Sequence, residues 1–175
     1  MRKILCLLIL TMVIPVALAG CQDKTEPSAQ NADKYVMTLY FSDAQIEYLV
    51  AETREAEIAS QQLEDLVASV VNQLIAGPQN ENLHKILPTT SVLNAVTIEN
   101  QCAIIDLSQS TIADYWGGSS SELLTVYGLV NSVTALDGIE EIQILIEGNK
   151  AETLAGHVET SEPLKSNPNL IYAEK

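Results

Sequence analysis

Residues 63–78 read Leu-Glu-Asp-Leu-Val-Ala-Ser-Val-Val-Asn-Gln-Leu-Ile-Ala-Gly-Pro, and this stretch carries the clearest structural signal in the chain. Its apolar side chains recur at intervals of three and four residues, which places them on one face of an α-helix. Gly77 and Pro78 predict where the helix ends, because glycine favours the position after the last turn and proline cannot continue it. Ser60 is the expected N-terminal cap.

Strand patterns lie on the N-terminal side of this helix. Residues 35–41 are β-branched, aromatic or otherwise apolar, and Ser42-Asp43 follows them with turn chemistry. Residues 46–50 predict a short second strand, which ends where the polar stretch 52–55 begins. The first part of the domain is therefore expected to read strand, strand, helix.

The second half alternates in the same way. Residues 93–99 and 102–107 are β-prone runs separated by Asn100-Gln101, a connection short enough to predict a hairpin. Ser119 and Glu122 have the spacing of a capping box, with the serine hydroxyl on the third helical amide and the glutamate reaching back. The helix that follows is expected to end at Asp137-Gly138.

A last strong strand is predicted over residues 139–146, with a weaker one over 150–154. Hairpins mixed with helical crossovers favour an α+β fold. We expect two helices packed on one face of a small mixed β-sheet, as a two-layer sandwich.

The N-terminus has the pattern of a targeting sequence. Met1-Arg2-Lys3 is basic, residues 4–17 are apolar apart from one threonine, and small residues follow. Residues 1–20 therefore match a secretory signal peptide. Leu18-Ala19-Gly20-Cys21 resembles the lipobox of bacterial lipoproteins, which implies cleavage between Gly20 and Cys21 and acylation of the Cys21 thiol. An ordinary signal peptide that contains a cysteine, or an uncleaved anchor, is the alternative.

Charge and composition limit the remaining possibilities. The 175 residues carry a net charge of −14, and after residue 20 seven Lys and Arg oppose 23 Asp and Glu. Such a field repels phosphate, so nucleic acid is excluded as a partner. Residues 21–34 are polar after the cysteine and predict a flexible tether. A single folded domain is expected over residues 35–164, with a C-terminal tail over 165–175.

The domain resembles the GerMN family of sporulation and germination lipoproteins. Matching segments follow one another in order along nearly the whole predicted domain. They are Leu39-Tyr40-Phe41, Leu49-Val50, Glu52, Arg54, Leu74-Ile75-Ala76-Gly77-Pro78, Leu87-Pro88, Val92-Leu93, Ile105-Asp106-Leu107-Ser108, residues 123–131, Val133-Thr134, residues 144–148 and Leu154-Ala155-Gly156-His157.

The resemblance implies a non-catalytic module on a membrane-anchored lipoprotein, on the extracytoplasmic face of a Gram-positive cell membrane. In that family the best understood type helps to assemble a protein complex across the envelope during spore formation. The fold is similar to ring-building modules of secretion systems, which leaves a homo-oligomer or ring open. Many relatives carry two such domains, whereas this chain has one, so functions that need the tandem pair are in doubt.

The residues offer little for catalysis or metal binding, and no cofactor is expected. His84 and His157 are far apart in sequence, with no further ligand at metal-binding spacing beside either. Asp106, with Ser108 two residues on, could act as a base, but strand-end Asp-x-Ser more often ties a turn. Cys102 lies among apolar neighbours and is expected to be a small buried hydrophobic residue.

Three residues are candidates for contact with a partner. Arg54 is the only arginine after residue 20. It could bind a partner's carboxylate, or it could be an internal clamp onto Glu52, Asp106 or a helix C-terminus. Tyr115 and Trp116 form an aromatic pair on a polar loop, and such pairs are enriched at binding surfaces, although they could also cover a sheet edge.

Two functions follow from these observations. The first is a lipid-anchored module that binds another envelope protein in an assembly connected with sporulation or germination. Edge-to-edge addition of a strand to the sheet is one available binding mode. The alternative is a peptidoglycan or cell-wall-binding module with Tyr115 and Trp116 as its platform.

Overall fold

The computed structural model describes residues 33–58 and 60–173. The predicted signal peptide, the Gly20–Cys21 cleavage and lipidation site, and residues 22–32 of the predicted tether lie outside the described residues. Among the described helices, none combines the length and the apolar character needed to span a bilayer.

The first two strands form a long hairpin. β1 (Asp33–Ser42) and β2 (Leu49–Ile58) pair antiparallel over ten residues each. Alternate side chains of β1 enter the core, because successive residues of a strand point to opposite faces. The strand predicted over 46–50 is displaced: β2 begins at Leu49 and runs through the polar segment, whose glutamates alternate with buried residues. The charged residues on the solvent-facing side of β2 make this segment look like a polar loop in the sequence, although every second residue from Arg54 to Ile58 is buried.

The predicted first helix is confirmed as α1 (Leu63–Ala76), and it ends at Gly77 with φ +93°. This left-handed conformation suits glycine, as the sequence predicts. The predicted cap is wrong: Gln62 occupies the N-cap position without a side-chain hydrogen bond. The Ser60 hydroxyl donates to the carboxylate of Asp65 instead, so the serine stabilises the first turn from two residues before the N-cap.

Five strands form the second sheet, with the order β3-β4-β5-β6 and β7 also paired to β5. They are β3 (Leu93–Glu99), β4 (Cys102–Leu107), β5 (Glu141–Ile146), β6 (Asn149–Lys150) and β7 (Leu164–Lys165). The predicted β3–β4 hairpin is confirmed, and both turn residues have positive φ, +49° at Asn100 and +67° at Gln101. β4 and β5 pair in parallel across the helical crossover, which makes the sheet mixed.

Two further helices lie in that crossover. The short α2 (Ser110–Ala113) occupies a segment predicted as loop, and α3 (Ser119–Val133) is the second predicted helix. α3 ends at Val133, before the predicted stop at Asp137-Gly138. It is buried on almost every side, because it contacts β1 of the hairpin as well as β5 of the larger sheet.

The α+β class is therefore confirmed, but the strands divide into two sheets. A single hydrophobic core joins hairpin, helices and the five-stranded sheet. Gly128 permits the close approach of α3 to β1, since a Cβ there would lie 2.7 Å from Ile86 Cδ1 and 3.0 Å from the Tyr40 carbonyl oxygen. The Tyr40 amide donates to Ser132 Oγ at 2.9 Å and fixes the same contact.

The chain stays in contact with the domain beyond residue 164. β7 pairs with β5, and a short 3-10 helix spans Pro168–Leu170. Ile171 bridges to Leu49, whose carbonyl accepts the Tyr172 amide at 2.8 Å. The segment expected as a tail thus lies against the start of β2.

Candidate functional site

The aromatic pair predicted on the α2–α3 loop is a stacked pair on the surface. The rings of Tyr115 and Trp116 have centroids 5.9 Å apart and an interplanar angle of 24°. Tyr115 is half-buried, and its hydroxyl lies 3.3 Å from Thr125 Oγ1. Burial raises the pKa of the Tyr115 phenol. Trp116 is 58% exposed, so the inner ring anchors the pair while the outer ring remains accessible.

A narrow cleft opens beside this pair. It has a volume of about 40 Å³, and its walls come from the stacked rings, the β1–β2 turn, the segment after α1 and the first turns of α3. Its lining includes Ile46, His84, Lys85, Trp116 and Ser121. The volume is that of a slot for part of a side chain, which is far below the usual size of a substrate pocket.

Ile46 projects from the β1–β2 turn with φ +58° and is 38% exposed. A β-branched residue in the left-handed region is a conformational outlier. Asp43 holds the turn in this shape: its Oδ1 accepts the Glu47 amide at 2.8 Å and the Tyr48 amide at 3.1 Å. The turn thus holds a partly exposed apolar side chain in an unfavourable backbone conformation, and such strain concentrates at functional sites.

The exposed apolar side chains gather around this turn. Of the six exposed large hydrophobic residues among those described, four form what we call the aromatic strip: Ile46, Tyr48, Trp116 and Tyr172. Ile46 and Trp116 line the same cleft. The Tyr48 and Tyr172 rings meet edge to face at 6.2 Å and 66°. A clustered apolar surface of this kind is typical of an interaction site.

Arg54 lies inside the domain rather than on the surface. The residue is 6% exposed, and its Nε donates to Glu52 Oε1 at 2.6 Å. Nη1 donates to Gln73 Oε1 at 2.8 Å, and Nη2 donates to the Gly77 carbonyl at 2.7 Å. The guanidinium also lies over the Phe41 ring, 5.2 Å from its centroid. This is the internal-clamp alternative, so the partner contact that the sequence left open for Arg54 does not apply: no donor of its fork faces solvent.

Glu52 extends the same clamp. Its carboxylate accepts the amides of Gln79 and Asn80, the latter at 2.9 Å. Burial alone would raise the pKa of Glu52, but the Asn80 amide and Arg54 outweigh it and hold the pKa below its usual value. The pair therefore binds β2 to the C-terminus of α1 and to the loop after it.

Glu122 is a buried carboxylate that the sequence assigned to a capping box. That prediction is wrong: Gly118 is the N-cap, without a side-chain bond, and Glu122 is 0% exposed and faces away from the cap. Its Oε1 accepts the Ala155 amide at 2.7 Å, and its Oε2 accepts the His157 amide at 2.9 Å and contacts His157 Nδ1 at 2.8 Å.

This arrangement is a clasp on the segment between β6 and β7. Burial by itself would raise the pKa of the Glu122 carboxyl, but hydrogen bonds from Ala155, His157 and Val158 outweigh it, and the pKa lies below its ordinary value. The sequence pattern around Glu122 is compatible with a capping box and with a long-range contact. The structure shows the second, because residues 154–157 pack against this carboxylate.

The other candidate chemical groups have structural contacts. Asp106 Oδ1 accepts the Gly148 amide at 2.8 Å, which ties the turn after β5, while Ser108 Oγ accepts the Val92 amide. Cys102 is half-buried on the outer face of β4, outside the core where it was expected, because strand alternation directs its neighbour Ala103 inward. Burial raises the pKa of its thiol. Within the described residues, no cluster of three or more His, Cys, Asp or Glu could hold a metal ion.

The match to a protein family covers residues 38–152, from the second half of β1 past β6. It is the Germane family, described as sporulation and spore germination. The chain belongs to this family. The resemblance to GerMN domains that the sequence predicts is thereby confirmed. No curated protein is similar enough to count as a match.

Three solved structures have a similar fold. A candidate lipoprotein from Clostridium perfringens is 28% identical, with a TM-score of 0.58 over 79% of this chain and 93% of that one. The first GerMN domain of the sporulation protein GerM from Bacillus subtilis is 20% identical, with a TM-score of 0.60 over 75% and 97%. The tandem GerMN domains of the same protein are 15% identical, with a TM-score of 0.63 over 86% of this chain and 51% of that one. The chain thus spans about half of the tandem structure.

These relationships connect the chain with sporulation and germination, and one related structure is that of a candidate lipoprotein. The family is described by a cellular process and by no reaction. The residues that form the aromatic strip lie partly outside the matched range, since Tyr172 follows residue 152.

Proposed function

We propose that this chain is a non-catalytic, lipid-anchored module on the extracytoplasmic face of the cell membrane, where its Germane domain binds another envelope protein. The observation that carries the proposal is the exposed, stacked Trp116, which stands on the half-buried Tyr115 beside a cleft. Rigid aromatic side chains are the commonest anchors of protein interfaces, since they bury much area at little entropic cost.

The ionisable residues of the domain support a binding role over catalysis. Glu122, Arg54 and Asp106 are each satisfied by the backbone of a neighbouring segment, so their chemistry is used to hold the fold. A general base needs access to its substrate's proton. The groups that line the cleft are aromatic, aliphatic and hydroxyl side chains together with His84 and Lys85, and no carboxylate is among them.

Lipid anchoring rests on the Leu18-Ala19-Gly20-Cys21 resemblance and on the related candidate lipoprotein. Acyl chains such as palmitate on Cys21 would hold the module at the membrane, since two or more chains bind a bilayer stably. In membrane fractionation, Cys21→Ala should move the protein from the membrane pellet to the medium or to a soluble fraction. The matched control is Cys102→Ala, which should remain in the pellet. Retention of the Cys21 variant with the membrane would contradict the anchor.

The interaction itself is tested by crosslinking in cells. A photoreactive residue at position 116 should capture one envelope protein in near-stoichiometric yield, while the same residue at Val92, which is exposed but outside the aromatic strip, should not. In a pull-down of the tagged chain after chemical crosslinking in cells, Trp116→Ala should reduce recovery of that protein by about tenfold, the loss of one interface anchor. Equal capture at both positions would indicate non-specific contact and contradict the proposal.

Binding to the cell wall is the second candidate, because an exposed tryptophan ring can also serve as a platform for sugars. It predicts that the full chain cosediments with purified peptidoglycan and that Trp116→Ala abolishes the cosedimentation. Retention of binding in that variant would exclude the aromatic platform as the wall site.

A further inference from the structure

We propose that the aromatic strip binds an extended peptide segment in which an apolar residue and a carboxylate residue are two positions apart, so that both side chains lie on one face. This inference rests on the proposed protein-binding function and assigns the chemistry of the partner. The apolar group of the peptide would contact Ile46 and Trp116, and its carboxylate would face Lys85 and the first turn of α3.

The apolar half of the site is carried by Ile46. The fold holds this residue at φ +58° through the contacts of Asp43, with the side chain exposed between two grooves. One groove is the cleft shared with Trp116, and the other lies between the turn and residues 118–121. Backbone strain that presents an apolar side chain to water is explained if a ligand covers that side chain.

The charge of the site argues for an acidic ligand. In a chain of net charge −14, most basic side chains of the described residues have acidic partners: Lys34 with Glu55, Lys150 with Glu162, and Arg54 with Glu52. Among the described residues, Lys85 and Lys165 are in no such pair, and of these two only Lys85 lines the cleft.

The start of α3 adds to this polarity. Gly118 caps the helix without a side-chain hydrogen bond, and a Cβ placed on Gly118 would meet nothing within 4 Å. An open groove lined by Ile46 and residues 118–121 lies at this end of the helix, and a helix N-terminus favours an anion. Glu47 lies on the other flank, next to Tyr48, so the carboxylate of the ligand belongs on the Lys85 side.

The shape of the strip favours a peptide over a glycan. Sugars stack on flat ring faces, whereas Tyr48 and Tyr172 meet at 66° and Tyr115 covers one face of Trp116. The strip offers separate slots on either side of Ile46, which match side chains that project from an extended backbone. Aromatic grooves bind extended peptides in this way.

The experiment uses the fluorescence of Trp116, the only tryptophan in the chain, as a reporter within the site. The full chain is titrated with blocked heptapeptides that carry leucine or serine at one position and glutamate, glutamine or lysine at the next but one. The peptide with leucine and glutamate should give a saturable emission shift, and its glutamine and serine counterparts should bind about tenfold more weakly, as for the loss of one charge-assisted or apolar contact.

Two variants test the assignment by residue. Lys85→Glu should exchange the preference, so that the lysine peptide binds better than the glutamate peptide. Ile46→Asn should abolish binding without unfolding the chain, because asparagine tolerates the left-handed backbone. Val92→Asn, at an exposed site outside the strip, is the matched control and should bind as the unaltered chain does.

The possible failures are distinct. Equal binding of the glutamate, glutamine and lysine peptides would overturn the acidic assignment and leave a purely apolar partner for the proposed function. An emission shift with muropeptides and with no peptide would overturn both this inference and the protein-binding proposal. No shift with any probe overturns this inference alone, because capture from position 116 in cells tests the proposed function independently.

Discussion

Glutamine in place of Glu122 should lower the free energy of unfolding at neutral pH by about 3 kcal/mol, in the range for a buried charged acceptor whose partners lose their hydrogen bonds. The substitution keeps the size and shape of the side chain. One oxygen can still accept from Ala155, but the new amide group would point its hydrogens at the backbone and ring N–H groups of His157. The amide N–H groups of the glutamine would then face the backbone and ring N–H groups of His157, and none of these donors would have an acceptor there.

The dependence on pH gives this prediction a second readout. Because the folded pKa of Glu122 is lowered, the clasp stabilises the protein fully above the pKa of the unfolded chain, about 4.3. This contribution is lost as pH falls through the folded pKa. Urea unfolding between pH 7 and pH 3 gives the difference in the free energy of unfolding between the original chain and Glu122→Gln. This difference should begin to narrow only below the unfolded pKa of about 4.3.

Glu64→Gln is the matched control, because Glu64 is also an acidic residue in the first turn of a helix but is exposed. It should cost less than about 1 kcal/mol, the usual effect of a charge on the helix dipole. If Glu122→Gln costs no more than this control, the clasp does not stabilise the domain. If the difference between Glu122→Gln and the original chain keeps its size at pH 3, the stabilisation does not come from the ionised carboxylate.

Local patterns were sufficient for much of the fold. α1 follows from a continuous apolar period and a Gly-Pro stop, and the β3–β4 hairpin follows from two β-prone runs around Asn100-Gln101. In each case the deciding contacts lie within a few residues along the chain. Contacts between residues close in sequence can be predicted from the spacing of apolar and turn-forming residues.

Contacts between distant segments explain the errors. Glu122 stands three residues after Ser119 in the order of a capping box, yet it bonds residues more than thirty positions away. The sequence predicts a strand from Ile46, but this residue lies in the turn that Asp43 holds, at φ +58°. Of the surface that we propose for binding, only Tyr115 and Trp116 were predictable from the sequence, since Tyr172 joins Tyr48 through tertiary packing.

Arg54→Met should be the most destabilising single substitution that we predict in the hairpin, at about 3–5 kcal/mol, as for a buried ion pair that loses one partner. Methionine fills similar space over Phe41 but leaves the Gly77 carbonyl and the Gln73 side chain without their donor. Glu52 keeps the amides of Gln79 and Asn80 but loses its countercharge. Equilibrium unfolding in urea measures the change.

Lys34→Met provides the control on the same hairpin. Lys34 and Glu55 form an ion pair at 3.0 Å, but both side chains are more than half exposed. Exposed pairs contribute less than about 1 kcal/mol, because water screens them and the long side chains lose freedom. Arg54→Lys should recover only part of the stability, since one ammonium cannot reach Glu52, Gln73 and Gly77 together with the geometry of the guanidinium fork. If Arg54→Met and Lys34→Met are equally mild, the clamp between β2 and the end of α1 is not what holds the hairpin to the helix, and the apolar face of β1 against α1 and α3 must be sufficient by itself.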